Sequence, residues 1–521
     1  MLEGVNRRDF LKALSSAGIG ASVGACSGSG EQPGFSAGAW GVAPPEWAHL
    51  LIPEERRPEG VLDLYLMGGM CPWDTFYTVP EYGQSNGTMF NTFLNPAKTG
   101  QASVAEYFER CEGGNRALTE PYAVDARGKT VHLGPWLYPL RDRPDILERT
   151  RVFVLRHLFE PHGVASPLAL CGHPRGTPRM ACTGAHVQRF WRDRGDPGRR
   201  TPHSYVLYSM DSEIAAQFDI HAASATGLHP ASVRPLNVRL VRDNPLPEQL
   251  ARAHLQGQQT AVDDSVEYYL RRFRERLGVP SAVRSLEELV DARAALRYSG
   301  DLVDVLTPDL LASVGGAECG FEAANGLDTT AMGLRLAVDL LTRPTHRARH
   351  VNVVDSGLIN ALGAGYDTHD YHVLESSRNV VHMSRLLAEH INRPDEQDPR
   401  KLDLDRHTVL LTTEFGRTPY VETGKEEGLD HWPFGYVVVA IGGFVDKERA
   451  GLVGAIDEQG FADMSVSRSF SPAEFRAAVL MGMGIWPFAN ESFAVGDTLH
   501  PFETREILAA YLRQELLGYP V

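Results

Sequence analysis

Two short stretches of this 521-residue chain gather side chains that bind metals or move protons. The first, "GYDTHDYH", places Asp367, His369 and His372 within six residues. The second, "TTEFGRTP", is soon followed by "DHW", and together they supply Glu414, Arg417, Asp430 and His431. Carboxylate and imidazole donors suit one divalent ion such as zinc, manganese or iron, with calcium or magnesium favoured if carboxylates dominate. No cysteine joins the group, which argues against a structural zinc. The plainer alternative is a polar network, with Asp367 capping a turn and Asp430 pairing with Arg417. The planar fork of Arg417, with Thr418 nearby, suits phosphate, sulfate or carboxylate; its alternative is a buried ion pair. A third stretch, "GGMCPWDTF", offers Cys71 and Thr75 as nucleophiles beside Asp74. Neither has a neighbouring base in sequence, and a small buried thiol is the simpler role for Cys71. There is no GxSxG elbow, and no GxGxxG or GxxxxGK[ST] cradle to support nucleotide binding.

These groups need a scaffold that aims them at one place. Runs rich in Val, Leu and Ile and bounded by Gly predict strands over 61–69, 151–158, 204–210, 231–241, 350–357, 407–416, 435–443 and 450–456. Such runs fit strands buried on both faces of a largely parallel α/β sheet. Helices are predicted over 101–111, 373–392, 471–484 and 504–517, and Ser471 with Glu474 forms a capping-box signature. Residues 245–345 read as helical throughout, an insertion or cap on the α/β body. The basic stretch 189–200 reads as solvated surface. Ligands in open α/β sheets bind beyond the carboxyl ends of the strands. The strands at 61–67, 351–354, 408–413 and 436–441 are therefore expected to be neighbours that bring Asp74, Asp367, Glu414 and His431 together.

The hydrophobic fraction of 43% is ample for a large core. A formal net charge of -15 makes nucleic acid a poor partner. Paired Arg7 and Arg8 before Phe10 and Leu11, followed by a mild apolar stretch, resemble a twin-arginine export signal over residues 1–25. The alternative is an amphipathic N-terminal helix. The signal ends in "SVGAC", which resembles a lipobox with Cys26 as the lipidated residue; plain cleavage after Ala25 also fits. Residues 26–58 read as a flexible tether, leaving 59–521 as the folded domain. The chain is thus expected in the periplasm or cell envelope, with the export machinery as a partner and the membrane touched only through a lipid on Cys26. Its six cysteines form no recognisable disulfide framework, and most read as small buried hydrophobes.

Together, "GGMCPWDTF", "GYDTH", "TEFGRTP", "DHWPF", "AIGGF" and "GLVGAID" resemble the exported bacterial family called domain of unknown function 1501, over nearly the whole mature chain. That family is grouped with the alkaline phosphatase and sulfatase superfamily. The resemblance implies a three-layer α/β sandwich with a mostly parallel sheet, and metal-assisted hydrolysis of a small or polymeric anionic ester. Glu414 and Phe415 resemble the superfamily's Asp-His pair, His431 its late metal histidine, and Asp367 with His369 or His372 its middle pair. Phe415 cannot ligate, and Gly69 stands where a first-strand metal aspartate is expected. Cys71 and Pro72 replace a Ser-His. These departures imply one metal or none rather than two. The rival expectation is a non-catalytic envelope protein that keeps the fold for binding or assembly.

Overall fold

The computed structural model describes residues 41–82, 104–177, 180–193, 204–210, 235–240, 328–358 and 365–521. Breaks fall at 423–424, 426–427, 467–468, 489–491 and 501, and a few isolated positions such as Cys319 are also described. The export signal, Cys26 and most of the 245–345 insertion lie outside the described residues.

All eight predicted strands form, in one sheet. They are β1 (Gly60–Leu66), β4 (Thr150–Leu155), β5 (Tyr205–Met210), β6 (Leu236–Leu240), β7 (His350–Asp355), β8 (His407–Thr412), β11 (Tyr436–Gly442) and β12 (Gly451–Val453). Their order is β12-β4-β11-β8-β1-β7-β5-β6. Only β11 runs against its neighbours β4 and β8; the other pairings are parallel. Four strands escaped the sequence reading: the hairpin β2 (Glu120–Val124) with β3 (Thr130–Leu133), and the two-residue pair β9 (Gly416–Arg417) with β10 (His431–Trp432). These are polar or very short, and short polar strands leave no period-2 signal to detect.

Strands β1, β7, β8 and β11 are buried along their whole length, as continuous apolar runs between helix layers require. Helix Thr329–Thr342 packs on β1, β5 and β7, and helix His372–His390 packs against it. Helix Pro472–Gly482 starts with the capping box foreseen at Ser471 and Glu474. No helix among the described residues is long and apolar enough to cross a membrane.

Two expectations are corrected here. Residues 41–58 are not a free tether: Leu50, Leu51 and Ile52 are buried, and Trp47 stacks on Trp486 with ring centroids 5.6 Å apart. Cys111 is not simply a buried hydrophobe, because it forms a disulfide with Cys319. Composition alone could not pair two cysteines 208 positions apart.

Among the described residues, the sheet interior holds a buried Arg–Asp ion pair. Arg476 donates to Asp63 in β1 and, through Nε, to the Ala169 carbonyl at 2.6 Å. Thr412 in β8 donates to the same carboxylate at 2.7 Å. Burial alone would raise the Asp63 carboxyl, but the Arg476 and His350 charges and the Thr412 bond hold it below its ordinary range. Arg476→Met would strand that carboxylate in the core and is expected to cost about 3–5 kcal/mol. Urea unfolding reads this; a loss below about 1 kcal/mol would refute the assignment. Because the folded carboxyl is depressed, its stabilisation is present above the unfolded value of about 3.9 and fades as pH falls through the folded value.

Candidate metal centre

Four strand exits, not three, build the site. At the end of β1, Gly68 adopts φ +116°, and a Cβ there would stand 2.3 Å from the Asp367 nitrogen. The strand exit therefore runs directly beneath the turn that carries Asp367, and the Tyr366 N–H closes that contact on the Met67 carbonyl at 2.8 Å. Beyond β8 the chain passes through Thr413 to Glu414 and into β9. β9 pairs antiparallel with β10, opposing Arg417 to His431. The fourth exit follows β4: the chain turns at Pro161 and helix His162–Cys171 begins, with His162 at its first position.

His162, Asp367, His369 and His431 converge, with one donor atom from each inside a 4.8 Å group. His162 Nε2 lies 3.3 Å from Asp367 Oδ2. His369 Nε2 and His431 Nε2 lie 3.2 and 3.4 Å from Asp367 Oδ1, and 2.9 Å from each other. Donors around a tetrahedral ion with bonds of about 2.0–2.1 Å stand about 3.3 Å apart, so these spacings suit one small divalent cation. Three imidazoles and one carboxylate favour zinc, manganese or iron over calcium or magnesium.

Two of the imidazoles are held from behind by carboxylates. His162 Nδ1 bonds Glu414 Oε1 at 2.8 Å, and His369 Nδ1 bonds Glu422 Oε2 at 3.0 Å. This leaves Nε2 of each ring aimed at the centre, the arrangement that orients metal-binding histidines. Glu414 also accepts the Gly68 N–H at 2.8 Å and is fully buried, so it supports the site without lining its mouth. Asp430 stands 3.8 Å from His369 Nδ1 and is half exposed, at the rim.

The electrostatics follow from this packing. Burial would raise the Asp367 carboxyl, but hydrogen bonds from His162, His369 and His431 and the Arg417 charge hold it well below the usual carboxylate range. Burial lowers His162, yet its bonds to Asp367 and Glu414 prevail and raise it. The bond to Asp367 likewise raises His369. His431 is lowered, because burial, helped by the Arg417 and His162 charges, outweighs its bond to Asp367.

Arg417 sits differently from the anion reader expected of it. It is completely buried, and it donates to the Gly68 carbonyl, to the Leu429 carbonyl at 3.0 Å and to Asp367 Oδ1 at 2.5 Å. It positions Asp367 and presents no free fork. His372 points elsewhere: with Cys71 and Asp74 it forms a separate, buried group. Its Nε2 bonds Asp74 Oδ2 at 2.9 Å, and its Nδ1 bonds the Thr368 hydroxyl at 2.7 Å. Asp74 also accepts from Ser376 and Trp136. The Thr75 hydroxyl is spent on the Cys71 carbonyl. Burial, then the neighbouring Asp74, pushes the Cys71 thiol well up, so it stays protonated. None of these four side chains reaches the convergent centre; they brace the turn that carries it. Of the donors, the sequence reading missed His162. Its available signal was "HLFEPHG", a polar exit with two histidines after a predicted strand.

Residues 340–493 match the family model described as a protein of unknown function, DUF1501. This supports placement in that family over a stretch that holds Asp367, His369, Glu414, Arg417 and His431; His162 and Asp74 lie outside it. No curated protein matches the chain.

Proposed function

We propose that the protein is an exported, metal-assisted hydrolase with one divalent ion held by His162, Asp367, His369 and His431. The convergence of three imidazole nitrogens on one carboxylate, two of the rings anchored by further carboxylates, carries this reading. An alkaline-phosphatase-like fold is the finer assignment, supported by a mostly parallel sheet with the donors grouped beyond strand exits. A bound ion supplies Lewis acidity and a water of lowered pKa. The chain's own residues do the rest. Glu414 and Glu422 fix the rings of His162 and His369, Arg417 sets the angle of Asp367, and Phe415 stacks beside His431 with centroids 4.3 Å apart.

Export by the twin-arginine route and a lipid on Cys26 complete the proposal. The Cys111–Cys319 disulfide supports an oxidising compartment. The expected anionic ester finds little support in Arg417, which is fully buried and whose two terminal nitrogens are committed to the Leu429 and Gly68 carbonyls and to Asp367. The test is metal content of protein purified without chelator, together with hydrolysis of a panel of carboxylic, phosphate and sulfate esters. About one ion per chain and metal-dependent turnover are expected. Folded protein with neither would end the enzyme reading and leave a binding or assembly protein.

A further inference from the structure

The charges around the mouth of the proposed centre are the reverse of what an anionic ester needs. Asp367 and His369 are about 28–30% exposed, so the centre opens to solvent on one side. Three segments frame that opening. The loop after β4 carries exposed Leu158, Phe159 and Glu160. It is tied to the site because the Phe159 N–H donates to His157 Nδ1, while His157 Nε2 bonds the Glu414 carbonyl at 2.6 Å. The second segment, just after His369, carries Asp370 and exposed Tyr371. The third, between β9 and β10, carries Tyr420, Glu422 and Asp430. Burial and then the Asp430 and Glu160 charges raise the Tyr420 phenol.

Three rim carboxylates, Glu160, Asp370 and Asp430, thus stand against one described ammonium, Lys425, which is paired with Asp370 at 3.2 Å, while Glu422 is spent on His369. Arg417 is committed beneath the floor. Arg156, the next cation along the β4 loop, makes no ion pair among the described residues. A phosphate or sulfate ester entering here would meet more carboxylates than cations among the described rim residues. An uncharged or cationic group would be drawn in, and Leu158, Phe159 and Tyr371 offer it an apolar surface.

We infer that the substrate of this centre is an uncharged or cationic molecule bearing an apolar group, and not a phosphate or sulfate ester. The inference rests on the metal-centre reading above. Hydroxamates, which chelate zinc whatever their tail, separate the two. Zinc-loaded protein would be titrated with glycine hydroxamate (cationic), acetohydroxamate and benzohydroxamate (neutral), succinic monohydroxamate (anionic) and inorganic phosphate. The cationic probe should bind at least about tenfold more tightly than the anionic one at low salt. That gap should close at about 0.5 M salt, where the Debye length is only a few ångströms. Glu160→Gln should narrow it without changing zinc content. Benzohydroxamate should exceed acetohydroxamate, and Phe159→Ser should reduce that advantage. Zinc-replete protein that binds phosphate or the anionic hydroxamate more tightly, or whose preference ignores salt and the Glu160 substitution, overturns the inference alone. Protein that takes up no zinc overturns the centre itself.

Discussion

His431→Ala is expected to empty the metal centre. His431 supplies one of four convergent donors, and no other described side chain stands in position to replace its Nε2. Losing a residue that merely orients a ligand costs about 10–100-fold in affinity, so losing the ligand should cost more than about 100-fold. Glu414→Gln is the graded comparison. It keeps the size of the side chain but weakens the bond that fixes His162, and should fall in the 10–100-fold range. Metal analysis after dialysis reads both. A thermal shift provides the second readout, because ion at about 100 times its Kd stabilises the fold by about 2.7 kcal/mol and His431→Ala should lose that response. Proton competition sets the pH dependence. His162 and His369 are held protonated above the ordinary histidine value of about 6.5 by neighbouring carboxylates, and a metal must displace those protons. Affinity should therefore weaken as pH falls through their raised values and level off above them. Equal metal in wild type and His431→Ala would defeat the assignment.

Much of this centre was legible in sequence because its parts lie at strand exits. Apolar runs bounded by glycine mark buried parallel strands directly, and all eight such runs entered the one sheet. Once the strands are placed, Asp367, His369 and His431 follow as side chains beyond their carboxyl ends. Which atoms meet there depends on contacts of high sequence separation, and no local pattern carries that information. Glu414 and Arg417 have the right chemistry, but Glu414 is spent on the Gly68 N–H and His162, and Arg417 on the Gly68 and Leu429 carbonyls and Asp367. His372 lies only three residues beyond His369, yet it begins helix His372–His390 after Tyr371 adopts a left-handed φ of 53°. That reversal turns it to Asp74. His162 was missed because histidines in a loop and at the helix start that follows it have no periodic signature. The buried Arg476–Asp63 pair likewise joins residues that no spacing rule connects.

Opening the Cys111–Cys319 disulfide should produce the largest stability loss in the molecule. The bond closes a loop over a separation of 208 residues. On the chain-entropy account, cross-linking so long a loop stabilises the fold by on the order of 5 kcal/mol, most of a typical domain's net stability. The Cys111 end is well seated in the core. Its N–H donates to the Tyr107 carbonyl, its carbonyl accepts the Tyr138 hydroxyl at 2.5 Å, and Phe108 meets Tyr138 edge-on with centroids 5.7 Å apart. Cys111→Ser and Cys319→Ser should therefore shift the urea midpoint to a similar degree, and the double variant should lose no more than either single one. Reductant should reproduce the loss in wild type and do nothing further to the variants. Cys71, Cys171 and Cys182 give the internal control. All three are buried, and burial pushes their thiols up, so none should react with a thiol reagent before global unfolding. The metal centre responds independently, because neither Cys111 nor Cys319 is among its donors. Protein made in a reducing cytoplasm should bind metal yet unfold early, and should regain its stability on oxidation. Unchanged unfolding on reduction would show that the disulfide contributes little. It would also remove the structural support for an oxidising destination.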